Sequence, residues 1–177
     1  MKLSTKVEVS VRTIAVMAIV AAIYAALTLS LHFISFGPIQ FRVAESLHLL
    51  AFFNPIFAPA TVLGVLIANF FSPLGMIDMV LGTASSTIAM ILLLTTKKLT
   101  KSLLLSGLWI TIVNAAIIPL VILIGIGDEV TFAAYITYAI QVGIGQFVVV
   151  SVFGYTLCRI LMAKYPNFIE IISSSRN

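Results

Sequence analysis

The sequence contains very little charge. Of its 177 residues only 9% are Asp, Glu, Lys or Arg, whereas 61% are hydrophobic, and the mean hydropathy is +1.19. These values lie outside the range of soluble domains. The chain contains several uncharged stretches, each near or above the roughly 20 residues that cross a bilayer. They are 13–41, 46–77, 79–96, 102–127 and 130–158. The sequence therefore predicts an integral membrane protein.

Residues that carry chemistry are also scarce. The only histidines are His32 and His48 and the only cysteine is Cys158, so there is no His-x-x-x-His pair and no internal disulfide. The chain has neither a Gly-x-Ser-x-Gly motif nor clustered aspartates for hydrolysis. It also has no Gly-rich phosphate loop followed by Lys and Ser or Thr. We therefore expect that this chain catalyses no reaction, binds no metal or cofactor and does not hydrolyse ATP by itself. Energy for uphill transport would come from a partner.

The apolar stretches predict an all-α bundle of six transmembrane helices in a single domain over 1–177. Six is the natural count because Asn54-Pro55 interrupts the second stretch, with Asn54 as N-cap and Pro55 at the first helical position. The second helix is short, and at about 1.5 Å per residue it spans less than the hydrocarbon core. The predicted helices are 12–31, 42–53, 55–71, 75–96, 103–126 and 131–162.

The distribution of Lys and Arg orients the bundle, because these residues concentrate on cytoplasmic flanks. With six spans, all the basic clusters fall on one side, so both termini are predicted to be cytoplasmic. These clusters comprise Lys2, Lys6, Arg12, Lys97, Lys98, Lys101, Arg159, Lys164 and Arg176. The net charge of +4 is therefore a topology signal for a multi-pass protein of the plasma membrane, not a nucleic-acid footprint.

Arg42, Glu45 and Asp78 are the only charges within 13–96. Charges inside a membrane are costly and usually mark a functional site. The Gly37-Pro38 turn leads into the second helix, where a spacing of three predicts that Arg42 and Glu45 share one helical face. Two structural alternatives stay open: Arg42 and Glu45 neutralise each other, or Asp78 complements the dipole of the fourth helix.

Other polar side chains suit recognition of a small molecule, since binding sites are mostly apolar pockets with a few placed donors and acceptors. By the predicted topology, Arg42, Asn69 and Asp78 lie at the outward ends of three helices. The candidate substrate-binding residues are Gln40, Arg42, Glu45, Asn69, Asp78, Asn114 and Gln146, with Gln141 as a further polar residue nearby. Alternatively, Asn69 and Asn114 join helices within the bundle. Tyr24 and Trp109 either stack on a flat ligand or belong to an aromatic belt.

The first helix carries a stripe of small residues. Ala18, Ala22 and Ala26 repeat every four positions, and Ala15, Ala21 and Ala25 broaden the face. Such a face lets another helix approach closely. The neighbouring helix belongs either to this bundle or to a partner.

Several sequence segments resemble the queuosine-precursor transporter family. They are FGPIQFRVAE at 36–45, FFNP at 52–55, ANFFSPLGMID at 68–78 and GT at 82–83, with weaker echoes at 113–115 and 142–146. A motif of this length is far more specific than a lone Gly-rich pattern. The close similarity covers roughly the first half of the chain.

The resemblance implies a substrate-binding S component of an energy-coupling factor transporter. Such a subunit captures a 7-deazaguanine base outside the cell and delivers it with a transmembrane coupling subunit and two ATP-binding subunits. The family pattern also implies that Ala18, Ala22 and Ala26 dock on the coupling subunit. Gln146 departs from the family, which often has Glu there, so the identity of the base stays open. The alternatives are an S component for another vitamin or nucleobase and, more remotely, a membrane-embedded enzyme or a small channel or structural subunit.

Overall fold

A computed structural model describes residues 10–165 and Asn167, and all regular elements in that part of the chain are helices. In chain order they are α1 (Val11–Ser30), α2 (His32–Ser35), α3 (Val43–Phe53), α4 (Phe57–Phe70), α5 (Asp78–Thr100), α6 (Leu103–Ile126) and α7 (Phe132–Lys164). The all-α prediction is confirmed.

Four helices are long and apolar enough to cross a membrane. These are α1, α5, α6 and α7, with 20, 23, 24 and 33 residues. Since about 20 residues span the hydrocarbon core, the chain is a multi-pass membrane protein. Helices α3 and α4 are apolar but shorter.

The predicted helix bounds are close to the observed ones, with three corrections. Helix α4 begins at Phe57 and not at Pro55, because Asn54 Oδ1 accepts a hydrogen bond from the Ile56 amide at 3.2 Å and holds a turn ahead of the helix. The short helix α2 was not predicted. Helix α5 continues to Thr100, and Lys97 and Lys98 in its last turn complement the negative end of the helix dipole.

Close backbone approaches fix the packing of α1 on α4. A side chain at Gly64 would lie 2.6 Å from Tyr24 Cβ and 2.9 Å from the Ala21 carbonyl oxygen. No side chain fits there, so the two helices pack at the distance that small residues permit. This contact places Tyr24 in the interior, where it is fully buried.

Helix α3 fits between α6 and α7. Its first part, Val43–Leu49, is a 3₁₀-helix and its last part, Leu50–Phe53, is α-helical. A Cβ at Gly107 would lie 2.7 Å from Leu49, and one at Gly154 would lie 2.9 Å from Ser46. These glycines let the short helix enter the bundle and bring its polar residues into the interior.

Two π-helical segments lie next to candidate site residues. Asp78–Gly82 forms the start of α5, and Phe147–Gly154 follows Gln146 within α7. Such segments are uncommon and often occur at functional sites, because they redirect side chains.

Candidate functional site

All the candidate site residues are buried, although their side chains are polar. None is more than 3% exposed. They are Gln40, Arg42, Glu45, Asn69, Asp78, Asn114 and Gln146. Burying so many polar groups is costly unless they are hydrogen bonded or bind a ligand.

Arg42 joins the ends of α3, α4 and α5. Its Nη1 donates a hydrogen bond to Asn69 Oδ1 at 3.0 Å, and its Nη2 lies 3.8 Å from Asp78 Oδ2. Asn69 Nδ2 in turn donates to the Asp78 carbonyl oxygen at 3.1 Å. The structure therefore brings together the three residues that the topology placed on one side of the membrane.

This cluster leaves hydrogen-bonding capacity unused. Among the described residues, neither carboxylate oxygen of Asp78 has a hydrogen-bond partner, and neither does Nε or Nη2 of Arg42. Gly82 packs directly against the cluster, because a Cβ there would collide with Asp78 Oδ1 and lie 2.8 Å from Asn69 Nδ2. The two carboxylate oxygens of Asp78 and two nitrogens of Arg42 are thus buried without forming hydrogen bonds in the described part of the chain.

Glu45 lies in a second, better satisfied cluster. Its Oε1 accepts a hydrogen bond from the Tyr24 hydroxyl at 2.7 Å, and its Oε2 accepts from Asn114 Nδ2 at 3.4 Å and lies 3.2 Å from His48 Nε2. Ser85 Oγ donates to Asn114 Oδ1 at 2.6 Å. Both oxygens of Glu45 have protein partners.

The predicted relation between Arg42 and Glu45 is wrong in two respects. Arg42 precedes α3 as its N-cap and does not lie inside the helix with Glu45. Arg42 lies next to Asp78 while Glu45 lies next to His48, and no ion pair joins Arg42 to Glu45 in the described part of the chain. A direct intrahelical ion pair between Arg42 and Glu45 is therefore absent from the described part of the chain.

The sequence interpretation missed the residues that surround Glu45. The sequence indicated a ligand-stacking or aromatic-belt role for Tyr24 and an interfacial or packing role for His48, and it gave no indication of a role for Thr61. His48 Nδ1 lies 2.8 Å from Thr61 Oγ1, and its ring is 5.4 Å from that of Tyr24. A signal for His48 existed, because residues three apart share a face of a 3₁₀-helix. No pattern in α1 distinguished Tyr24.

The loop between α2 and α3 lies over α7. A turn closes where the Gln40 amide donates to the Gly37 carbonyl at 3.0 Å, and Gln40 adopts a positive φ of 50°. The Ile39 carbonyl oxygen sits where a side chain at Gly145 would be. Gln40 Nε2 and Gln146 Oε1, on either side of this contact, have no hydrogen-bond partner among the described residues.

The same loop borders a cavity of about 130 Å³. Its walls are Phe36, Gly37, Pro38, Leu74, Ile122, Ile126 and Tyr138. The Phe36 ring also packs against the guanidinium of Arg42, 4.9 Å from the ring centroid. Phe36 thus contacts both the apolar cavity and the buried guanidinium of Arg42.

The alanine stripe of α1 divides into two faces. Ala18, Ala22 and Ala26 are exposed, whereas Ala21 and Ala25 are buried against the bundle. The prediction that Ala21 and Ala25 broaden the same face is therefore wrong. The other aromatic candidate, Trp109, donates its indole N–H to Thr96 at 2.6 Å and joins α5 to α6.

The helices and the buried clusters define a multi-pass membrane protein with a polar site enclosed inside its bundle. The pattern of the QueT transporter family matches residues 14–163, and the chain belongs to this family. It is 44% identical over 77 residues to the queuosine precursor transporter QueT of Lactococcus lactis subsp. cremoris (strain MG1363). That alignment covers 42% of this chain and 45% of the relative, so the chain spans less than half the length of that protein. No solved structure matches the chain. The family resemblance drawn from the sequence segments is confirmed.

Proposed function

We propose that the chain is the substrate-capture subunit, or S component, of an ATP-driven energy-coupling factor importer for a queuosine precursor. Its cargo is a 7-deazaguanine base taken from the extracellular side. Family membership supports the transport role, and the relative's name supplies the substrate class. The single observation that carries the proposal is the buried Arg42–Asp78–Asn69 cluster with its unused donors and acceptors.

The chemistry of that cluster matches the edge of a guanine-type base. Such a base presents two adjacent N–H donors beside a carbonyl acceptor. A carboxylate accepts two parallel hydrogen bonds, and a guanidinium donates several in fixed directions. In this proposal the Asp78 oxygens bind the two donors and Arg42 Nη2 binds the carbonyl. Asn69 holds both side chains in place.

The remaining candidates have different roles in the proposal. Glu45 and Asn114, already hydrogen bonded to Tyr24 and Ser85, support the floor of the site. Gln40 and Gln146 flank the loop, and their Nε2 donor and Oε1 acceptor, which have no hydrogen-bond partner in the described part of the chain, are available to a ligand. Because Gln146 is neutral, the proposed cargo is an uncharged deazaguanine more readily than its cationic aminomethyl form.

The proposal includes a topology. Helices α1, α3, α4, α5, α6 and α7 form six spans of one S-component domain, with α3 and α4 short because the 36–42 loop and the 72–77 segment complete their membrane depth. The lysine-rich turn 97–101 then faces the cytoplasm together with both termini, in keeping with the positive-inside rule. The loop over Gly145 faces outward.

Coupling to ATP hydrolysis is assigned to partners. Ala18, Ala22 and Ala26 are exposed, and a small-residue face without a neighbour in its own bundle permits close approach by another helix. We assign this face to the transmembrane coupling subunit, which associates with two ATP-binding subunits.

A thermal-shift screen of the purified chain tests the proposal. Deazaguanines should raise the melting temperature, because a ligand that binds only the folded state stabilises it by a free energy that increases with its affinity and concentration. Guanine tests the base edge and adenine serves as the mismatched control. Stabilisation by another vitamin or nucleobase alone would support an S component of different specificity.

A further inference from the structure

A second cavity lies at the end of the bundle that carries the lysines. Its volume is about 340 Å³, and it is formed by the end of α3, the turn between α5 and α6, and the last part of α7. Its lining includes the cations Lys101 and Arg159 and the apolar side chains of Phe53, Leu104 and Met162. The cavity therefore combines two cations with an apolar wall.

The two cations have no carboxylate partner in the described part of the chain. Of the acidic residues described there, Glu45 and Asp78 are buried in the polar clusters, and Asp128 and Glu129 follow the far end of α6. That end lies about 36 Å away at 1.5 Å per residue. The two cations therefore give the cavity a positive potential. Its field favours an anion.

Lys101 adopts a conformation that lysine rarely takes. It ends α5 in the left-handed region, with φ of 53° and ψ of 18°, where glycine is the usual residue. A backbone outlier retained by a bulky residue motivates a functional role for its side chain. Glycine would end the helix with less strain but would remove a cation from the cavity.

The apolar wall selects an amphiphile over a free anion. Lys97 Nζ lies 5.6 Å from the centroid of the Phe52 ring, beside the cavity. A lysine whose apolar stem covers hydrophobic surface while its ammonium stays in the polar interface is typical of a membrane boundary. A small inorganic anion would leave the exposed side chain of Leu104 uncovered.

We propose that this cavity binds the phosphate group of an anionic phospholipid, with Lys101 and Arg159 contacting the headgroup and an acyl chain lying along Leu104 and Met162. The site is distinct from the substrate cluster. It would fix the position of the lysine-rich end of the bundle in the membrane.

Trp109 is the only tryptophan in the chain, and it lies on α6 about 9 Å from the start of that helix at Leu103. It therefore reports on nearby lipid. The full chain is reconstituted in phosphatidylcholine containing increasing fractions of dibrominated phosphatidylglycerol. Quenching of Trp109 fluorescence by this lipid is then compared with quenching by dibrominated phosphatidylcholine. We expect preference for the anionic lipid of about fivefold for each contacting cation. The K101N/R159Q variant should lose most of that preference.

The K98Q/K164Q variant is the matched control. It removes the same charge at the same end, but from residues that do not line the cavity, and it should keep the preference. Equal loss in both variants would indicate diffuse attraction to the bilayer and overturn the proposal. Full retention of the lipid preference in K101N/R159Q would also overturn the proposal. It would do so even if that variant no longer co-purified with a coupling subunit. Abolition of the preference by millimolar inorganic phosphate would identify a free anion as the occupant instead.

Discussion

Asp78 and Glu45 are both buried carboxylates, but their surroundings give them different roles. Glu45 accepts hydrogen bonds from Tyr24 and Asn114, whereas neither oxygen of Asp78 has a hydrogen-bond partner among the described residues. A satisfied carboxylate stabilises the fold, while an unsatisfied one carries a desolvation cost that a ligand can relieve. At the scale of single residues, Asp78 is thus the better candidate for direct recognition.

Asp78→Asn should weaken deazaguanine binding by at least about tenfold, because hydrogen bonds to a charged group contribute roughly 1.5–3 kcal/mol. Loss of the counter-charge of Arg42 should also lower the melting temperature, but by less than it lowers ligand affinity, because Asp78 Oδ2 lies 3.8 Å from Arg42 Nη2 and accepts no hydrogen bond among the described residues. Calorimetric titration and thermal melting measure the two effects. Asp128→Asn, in an exposed turn, is the control. Unchanged affinity with a large drop in melting temperature would make Asp78 a structural counter-ion.

Gln146→Glu should shift selectivity towards a cationic aminomethyl base. The buried Gln146 Oε1 has no hydrogen-bond partner among the described residues, and a carboxylate at that position would supply the counter-charge that an amide lacks. A charge-assisted hydrogen bond predicts a change of about tenfold or more in the ratio of the two affinities. Competition between neutral and cationic deazaguanines measures it. If the parent chain already prefers the cation strongly, and Gln146→Ala retains that preference, another carboxylate provides the charge.

At the scale of elements, the loop before α3 and its contact with α7 enclose the site. The loop is fixed by the turn at Gly37 and by the fit of the Ile39 carbonyl against Gly145. In the proposed function, a ligand reaches the buried cluster after this contact opens or shifts. The contact therefore couples the position of the loop to occupancy.

Gly145→Ala should displace the loop, because its methyl group would occupy the position of the Ile39 carbonyl oxygen. We expect a loss of stability of about 1–3 kcal/mol, as for overpacking generally, and several-fold weaker binding. Gly143→Ala is the matched control: its Cβ would lie 3.5 Å from Ala115 Cβ, an ordinary contact, and alanine favours the helix. Equal affinity in the two variants would show that the loop does not control the site.

Ala22→Leu and Ala21→Leu separate docking from packing on α1. Ala22 is exposed, so Ala22→Leu should leave melting and ligand affinity unchanged while abolishing co-purification with the coupling subunit and uptake. Ala21 is 2% exposed, so Ala21→Leu should lower stability by about 1–3 kcal/mol. Co-purification retained by the Ala22→Leu variant would remove the docking role from this face.

At the scale of the whole molecule, the sequence predicted the helices better than it predicted their contacts. Hydrophobic length alone placed α6 at its observed bounds, because a membrane span is defined by composition. The convergence of Arg42, Asn69 and Asp78 followed from topology. The predicted topology did not indicate that Arg42 lies beside Asp78 and Glu45 beside His48. These contacts depend on a 3₁₀-helix whose register no hydrophobic pattern specifies.

The buried position of Tyr24 illustrates the same limit. It depends on Gly64 in another helix, so it is a property of a helix pair and not of either segment. The small residues on α1 predicted close helix packing, but their pattern did not indicate which alanines face inward. Only the packed bundle separates Ala21 from Ala22.

Equilibrium binding of a radiolabelled 7-deazaguanine base to the purified chain in lipid nanodiscs tests the central claim most directly. We predict saturable binding of one base per chain, competition by guanine but not by adenine, recovery of the base chemically unchanged, and loss of binding in the Asp78→Asn variant. Absence of saturable binding to the folded chain, or conversion of the base to another compound, would contradict the account.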